Sequence, residues 1–103
     1  MSTTTINDLI SLAKETLGIV STATAKDNSL EMIIKAGIND MTRAGVDVDV
    51  DNKLVQNALM IYVKANFGIS NPTDKAKFLE AYQLCLAELS LSEGFKKEET
   101  TND

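Results

Sequence analysis

Asp47, Asp49 and Asp51 have the spacing that comes nearest to a known chemical site, because they match the first three ligand positions of a calcium-binding loop. Such a loop also needs a glycine at its sixth position and a bidentate glutamate at its twelfth. Asn52 and Ala58 occupy those positions here, so the ligand set is incomplete. We therefore interpret this run as a solvated acidic segment and predict no metal site.

Ser29 and Cys85 are candidates for covalent chemistry. Ser29 follows Asn28 at a helix start, which is similar to the Asp-Ser-Leu motif around the prosthetic-group serine of acyl carrier proteins, with asparagine in place of the aspartate. An ordinary first-turn serine is the favoured interpretation, and modification of Ser29 is the alternative. Cys85 lies among Tyr82 and Leu86 on one helical face, with no histidine to lower its pKa, so we expect a core residue.

The composition removes most enzymatic mechanisms. The 103 residues include no histidine, which excludes Ser-His-Asp and Cys-His nucleophile systems and zinc sites that use imidazole. The five glycines are dispersed, so the chain has no glycine-rich phosphate loop. The paired acids Glu98 and Glu99 lie in a polar tail, which provides no rigid pocket for acid/base catalysis. We predict that the protein is not an enzyme and needs no cofactor.

Charge and cysteine content limit the partners and the compartment. Ten basic and fifteen acidic residues give a net charge of -5, so no concentrated basic surface for nucleic-acid readout is expected. The single cysteine cannot form an intrachain disulfide. No run approaches the roughly 18 apolar residues of a membrane span, and the N-terminus lacks the basic and apolar regions of a signal peptide. These features predict a protein made in the cytosol without membrane contact.

Apolar residues recur with helical spacing in four segments, which predicts an all-α fold. Thr5 and Asp8 form a capping pair for the first helix, which Gly18 ends. Asn28 and Glu31 are the expected capping box of the second helix.

Other residues mark a helix crossing and the remaining helix ends. Gly37 lies on the apolar stripe of the second helix, where glycine costs about 1 kcal/mol relative to alanine, so a close helix crossing is expected. Gly45 suits the left-handed residue that closes this helix. Asp51 is the expected cap of the third helix, and Asn71 and Pro72 begin the fourth.

The predicted fold is a small all-α four-helix bundle with an extended connector between helices 2 and 3 and a flexible C-terminal tail. The helical domain covers residues 5–93, and residues 94–103 form a polar tail that we expect to be disordered in the free protein. Residues 46–51 alternate valine and aspartate with a strand period, but no second run pairs with them. We interpret them as an extended connector that is available to pair with a neighbouring subunit.

The third and fourth helices carry a family pattern. Its most distinctive part is residues 61–68, with the sequence IYVKANFG, within the longer run LVQNALMIYVKANFG over residues 54–68. Asn71-Pro72, Lys77-Phe78 and Leu89-Ser90-Leu91-Ser92 follow it. Over roughly residues 5–95 the chain resembles the small head-tail connector proteins of tailed bacteriophages.

This resemblance implies a structural protein of the virion neck, assembled in the host bacterial cytoplasm. Family members are all-α adaptors that bind beneath the portal protein and form a ring, usually of about twelve copies. Genomic DNA passes through the ring without sequence-specific binding. The implied partners are the portal protein, a head-tail stopper or other neck protein, and further copies of the chain. An acyl-carrier-like helical module modified on Ser29 is the alternative.

The predicted contact surfaces lie on the third helix, the connector and the tail. The third-helix residues form its polar stripe, and Met60 lies within this stripe, so it is expected to be exposed, alone or in a contact. The tail is expected to dock on the portal or on a neighbouring subunit. The predicted contact residues are Lys53, Gln56, Met60, Lys64, Asp47, Asp49, Phe95, Lys96 and Lys97.

Overall fold

The computed structural model describes residues 3–67 and 71–91, and most of them lie in four α-helices. The helices in chain order are α1 Ile6–Leu17, α2 Asp27–Arg43, α3 Lys53–Asn66 and α4 Pro72–Leu91. No β-strand occurs in the two described ranges, so the predicted small all-α bundle is confirmed. None of the described helices is long and apolar enough to cross a membrane.

The central helix is α3, which packs against α1, α2 and α4. Its side chains Val55, Ala58, Leu59 and Val63 are fully buried. This agrees with its sequence, in which apolar residues occur on nearly every side. The other three helices therefore share one hydrophobic core around α3.

The first helix starts as its local sequence predicts. The Thr5 hydroxyl accepts a hydrogen bond from the Asp8 amide at 3.1 Å, and the Asp8 carboxylate accepts one from the Thr5 amide at 3.0 Å. This reciprocal arrangement satisfies two amides that have no partner within the helix. Gly18 follows the last turn with a φ of 76°, the left-handed conformation expected of a closing glycine.

The predicted capping box of α2 is wrong. The helix begins at Asp27, and the residue before it, Lys26, makes no side-chain capping bond. Asp27 instead forms an ion pair with the buried Lys14, with 2.7 Å between the carboxylate oxygen and Nζ. Lys14 Nζ also donates a hydrogen bond to the carbonyl of Ser21 at 3.3 Å. A contact between α1 and α2 therefore accompanies this helix start, in place of the bonds expected from Asn28 and Glu31.

Gly37 lies where α2 crosses α3, as predicted. A β-carbon at this position would lie 2.7 Å from Leu59 Cδ1 and 2.9 Å from Tyr62 Cδ2. Both distances are shorter than carbon atoms normally approach each other. The missing side chain therefore sets the close approach of the two helices.

A polar network joins α2 to α4 beside this crossing. The Tyr82 hydroxyl donates a hydrogen bond to Asp40 at 2.7 Å, and the Arg43 guanidinium lies 3.2 Å from the other carboxylate oxygen. Burial, followed by the hydrogen bond to Asp40, raises the pKa of Tyr82 well above its usual range. The Tyr82 ring also packs against Tyr62, with ring centres 5.0 Å apart. Tyr82 thus anchors α4 to both α2 and α3.

The predicted cap of α3 is also wrong, by one residue. The Asn52 side chain accepts hydrogen bonds from the Leu54 and Val55 amides, so Asn52 is the cap. Asp51 accepts hydrogen bonds from the amides of Thr3 and Thr4 instead, at 2.9 and 2.8 Å. Its carboxylate therefore joins the N-terminal segment to the connector.

Two other predicted helix ends are confirmed. Gly45 has a φ of 92°, the left-handed conformation predicted at the end of α2. Asn71 accepts a hydrogen bond from the Asp74 amide at 2.8 Å, and Pro72 is the first residue of α4. The tail at residues 94–103, which was predicted to be disordered in the free protein, lies outside the described ranges.

Candidate functional site

The four predicted contact residues of α3 line one concave surface. Lys53, Gln56, Met60 and Lys64 lie along this groove, which α1 closes on its other side with Leu12 and Thr16. The groove has a volume of about 290 Å³. Positions three or four residues apart share a helix face, so the sequence was sufficient to place these residues together. We call this surface the α1–α3 groove.

Met60 is buried, which corrects the expectation that it is exposed. Only 6 % of its surface is accessible, and it belongs to the hydrophobic core. The helical period placed it among polar residues, but α1 packs along that side of α3 and covers it. Met60 therefore forms part of the floor of the α1–α3 groove and stabilises the monomer.

Two polar residues of this groove already have partners within the chain. The Gln56 side-chain amide donates a hydrogen bond to the Val50 carbonyl at 2.7 Å, which holds the connector against α3. The Lys64 ammonium lies 5.6 Å from the centre of the Phe78 ring, a cation–π distance. Lys53 is exposed at the other end of the groove. Lys53 thus offers the more accessible positive charge to a partner.

The acidic connector presents its charges to solvent. Asp47 and Asp49 are exposed, whereas Val48 and Val50 pack against the core. Asp49 accepts a hydrogen bond from the Asp51 amide at 3.0 Å, which fixes the turn that leads into α3. No group of three or more potential metal ligands occurs among the described residues. The connector therefore combines an apolar inner side with an acidic outer side.

A second groove surrounds Ser29 and was not predicted. Its volume is about 570 Å³, and its walls come from the α1–α2 loop, from α2 and from the end of α3. Met32 on its wall is 72 % exposed. Met32 lies between the buried positions Leu30 and Ile34 in the sequence, which places it off the main apolar stripe of α2. A methionine at this position, off the apolar stripe, is the sequence feature that indicates the groove around Ser29.

Ser29 itself is exposed in the first turn of α2. This exposure is what a first-turn serine and a modified serine would share, so it does not decide between the two interpretations. The intact mass of the chain purified from its host would decide between them. An increase by the mass of a phosphopantetheine group would support the carrier alternative, and an unmodified mass would contradict it.

A third groove runs between α3 and α4, and we call it the hairpin groove. It has a volume of about 340 Å³ and is lined by Leu54, Asn57, Cys85, Glu88 and Leu89. Leu54 is 60 % exposed. Burial raises the pKa of the Cys85 thiol, and the Glu88 carboxylate adds to this shift, so the thiol is protonated at neutral pH. Cys85 is half-buried and packs against the core, whereas the sequence predicted that it lies within the core.

Phe95, Lys96 and Lys97, the predicted contact residues of the tail, lie outside the described residues.

Comparison with known proteins identifies one related family. A family model described as a phage connector protein matches residues 9–96 of the chain. The matched region contains α2, α3, α4 and all but the first turn of α1. Neither the curated proteins nor the solved structures give a match to this chain.

Proposed function

Because the chain belongs to the phage connector protein family, we propose that it forms a ring beneath the portal, extends the DNA channel and joins the capsid to the tail. The family is a structural one, and its members are components of the phage neck. The match over residues 9–96 is the observation that carries this proposal. The resemblance of residues 54–68 to head-tail connectors points to the same role.

The size and charge of the chain support a role in a ring. A chain of 103 residues has limited surface, and repeating one head-to-tail contact around a closed ring multiplies a weak contact into a stable assembly. Its net charge of -5 suits a conduit, since a basic wall would retain the DNA phosphates. The ring is proposed to contain about twelve copies, as the family resemblance implies.

The proposed partners are the portal protein above the ring and a head-tail stopper or other neck protein below it. Lys53, Asp47 and Asp49 are the exposed charges proposed to contact these partners or a neighbouring copy. The tail residues Phe95, Lys96 and Lys97 are proposed to dock on the portal or on a neighbouring copy. Assembly is proposed to occur in the host bacterial cytoplasm.

A phage that lacks the gene tests the proposed role directly. We expect DNA-filled heads and separate tails to accumulate, since the part that joins them is missing. Electron microscopy of lysates would count the joined particles, and supplying the protein from a plasmid is the control. Tailed infectious particles formed without the protein would refute the proposal.

Light scattering of the purified chain, alone and with the portal ring, tests self-association. We expect a molar mass that corresponds to a closed ring in at least one of these conditions. Lys53→Glu should reduce this assembly, and Lys75→Glu, which changes an exposed lysine at the start of α4, is the matched control. Equal assembly of both variants would remove Lys53 from the proposed contact surface.

A further inference from the structure

We propose that the hairpin groove of one copy binds the C-terminal segment of a neighbouring copy, with Phe95 on the apolar wall of the groove and Lys96 or Lys97 at Glu88. This inference rests on the proposed ring and names the contact that would hold its subunits together. It concerns residues that the chain itself provides on both sides of the contact.

The groove has an apolar wall that α3 and α4 leave open to solvent. Leu54 on this wall is 60 % exposed, and Cys85 and Leu89 line the wall on α4. Apolar side chains that line a concave surface open to solvent are typical of a binding site. α4 also packs mainly on α3, so its remaining sides have little cover from the described part of the chain.

The chemistry of the tail matches that of the groove. Glu88 is exposed on the groove wall, and it follows Cys85 by one helical turn. Lys96 and Lys97 follow the aromatic Phe95 directly. An aromatic anchor placed on Leu54 and Leu89 would bring a following lysine near the Glu88 carboxylate. Aromatic anchors with charged rims are the usual composition of protein interfaces.

The end of α4 and the hairpin groove lie at the same end of the molecule. Tyr62 packs on Tyr82, while Leu54 and Leu89 line one groove, so α3 and α4 run antiparallel with their opposite ends level. The end of α4 at Leu91 is therefore level with the start of α3. Copies related by rotation about a ring axis have equivalent points at equal height. A tail that leaves one copy at this height needs only to reach sideways.

The tail provides several residues for this reach. Phe95 follows Leu91 by four positions, and an extended chain advances about 3.3 Å per residue, so Phe95 can lie up to about 13 Å from the end of α4 before the length of its side chain is added. A groove of a neighbouring copy that opens within this distance of Leu91 is therefore accessible to Phe95.

Disulfide trapping between mixed chains tests the proposal. One full-length chain carries Leu54→Cys and a tag, the other carries Gly94→Cys, which leaves the Phe95 anchor in place, and both carry Cys85→Ala so that no natural thiol interferes. They are mixed and oxidised under conditions where light scattering shows assembly, alone or on the portal ring. We expect tagged mixed dimers, at least about fivefold more than in a matched control with Gln83→Cys in place of Leu54→Cys. Gln83 is exposed on α4 but does not line the hairpin groove.

The outcomes separate this inference from the proposed function. Assembly without a mixed disulfide above the control would overturn the inference and leave the proposed ring standing. A single chain carrying both cysteines that forms only an intrachain disulfide would show that the tail folds onto its own groove, which also overturns it. Failure to assemble in every condition would refute the ring, and the inference with it.

A charge exchange provides a second test, and its expected result differs from the result expected if Glu88 has a purely structural role. Glu88→Lys should weaken self-association about fivefold, because it opposes like charges across the contact. Lys96→Glu combined with Lys97→Glu should weaken it similarly. Combining all three changes should restore association close to that of the unmodified chain, since the charges are again opposite. Additive losses in the triple variant would contradict the proposed pairing.

Discussion

Gly37→Ala is the substitution that tests the packing of this bundle most directly. The added methyl group would lie 2.7 Å from Leu59 Cδ1 and 2.9 Å from Tyr62 Cδ2. Leu59 is fully buried in the core, so it has little room to move away. Tyr62 packs on the buried Tyr82, so a shift of its ring would disturb a second contact.

Two opposing effects determine the magnitude. Alanine is better than glycine inside a helix by about 1 kcal/mol. Overfilling a packed core costs about 1–3 kcal/mol. The steric cost falls in the upper part of that range here, because one blocking atom belongs to the buried Leu59 side chain and the other to the packed Tyr62 ring. We expect a net loss of about 1 kcal/mol in the free energy of unfolding, which lowers the melting temperature by about 4–8 °C.

Urea denaturation followed by circular dichroism measures this loss. Ala36→Gly is the matched control on the exposed side of α2, where helix propensity alone should cost about 1 kcal/mol. Leu59→Val removes the nearer blocking atom, so Gly37→Ala should cost less in that background, by an interaction energy of about 1 kcal/mol. A Gly37→Ala variant more stable than the unmodified chain would refute the proposed close crossing.

Three further changes test other features of the structure. Tyr82→Phe should make the protein lose less stability at alkaline pH. Burial raises the pKa of Tyr82 in the folded chain, so the free energy of unfolding of the unmodified chain falls as the pH rises above about 10. The same dependence of stability on pH in the variant would contradict this. Lys14→Met should lower the free energy of unfolding, measured in urea, by about 1–2 kcal/mol, because the partly exposed Asp27 loses its partner. The control Lys35→Met, which breaks an exposed ion pair, should lower this free energy by less than about 0.5 kcal/mol. Met60→Glu should lower the free energy of unfolding by about 3 kcal/mol or more, because it places a carboxylate at a position only 6 % exposed. A melting curve like that of the unmodified chain would show instead that the side chain reaches solvent.

The helix ends show which local features could be predicted. The caps of α1 and α4 depend on residues within four positions of each other, and both agree with the prediction from Thr5 and Asn71. The start of α2 and the cap of α3 were predicted wrongly. At both sites an aspartate binds another segment of the chain: Asp51, the predicted cap of α3, binds the N-terminal amides, and Asp27, which precedes the predicted cap Asn28, pairs with Lys14.

The candidate contact surfaces also include features that the local sequence predicted and features that it did not. The helical period correctly placed Lys53, Gln56 and Lys64 on one side of α3. It could not show that α1 covers Met60 on that side, because helix periodicity does not identify the neighbouring helix. The groove beside Ser29 and the hairpin groove are formed by residues far apart in the sequence, so no single motif indicated them.

Residue types and their local spacing were sufficient to predict the all-α class, the outward-facing charges of the connector and the resemblance to a connector family. Those properties follow from side-chain type and from spacings within a few residues, where the geometry of a helix or an extended strand is fixed. The packing of the helices, by contrast, establishes which aspartates cap helices, which apolar side chains are covered and where concave surfaces form. These depend on which helix faces meet, and Gly37 permits one such meeting because its lack of a side chain lets α2 approach α3 closely.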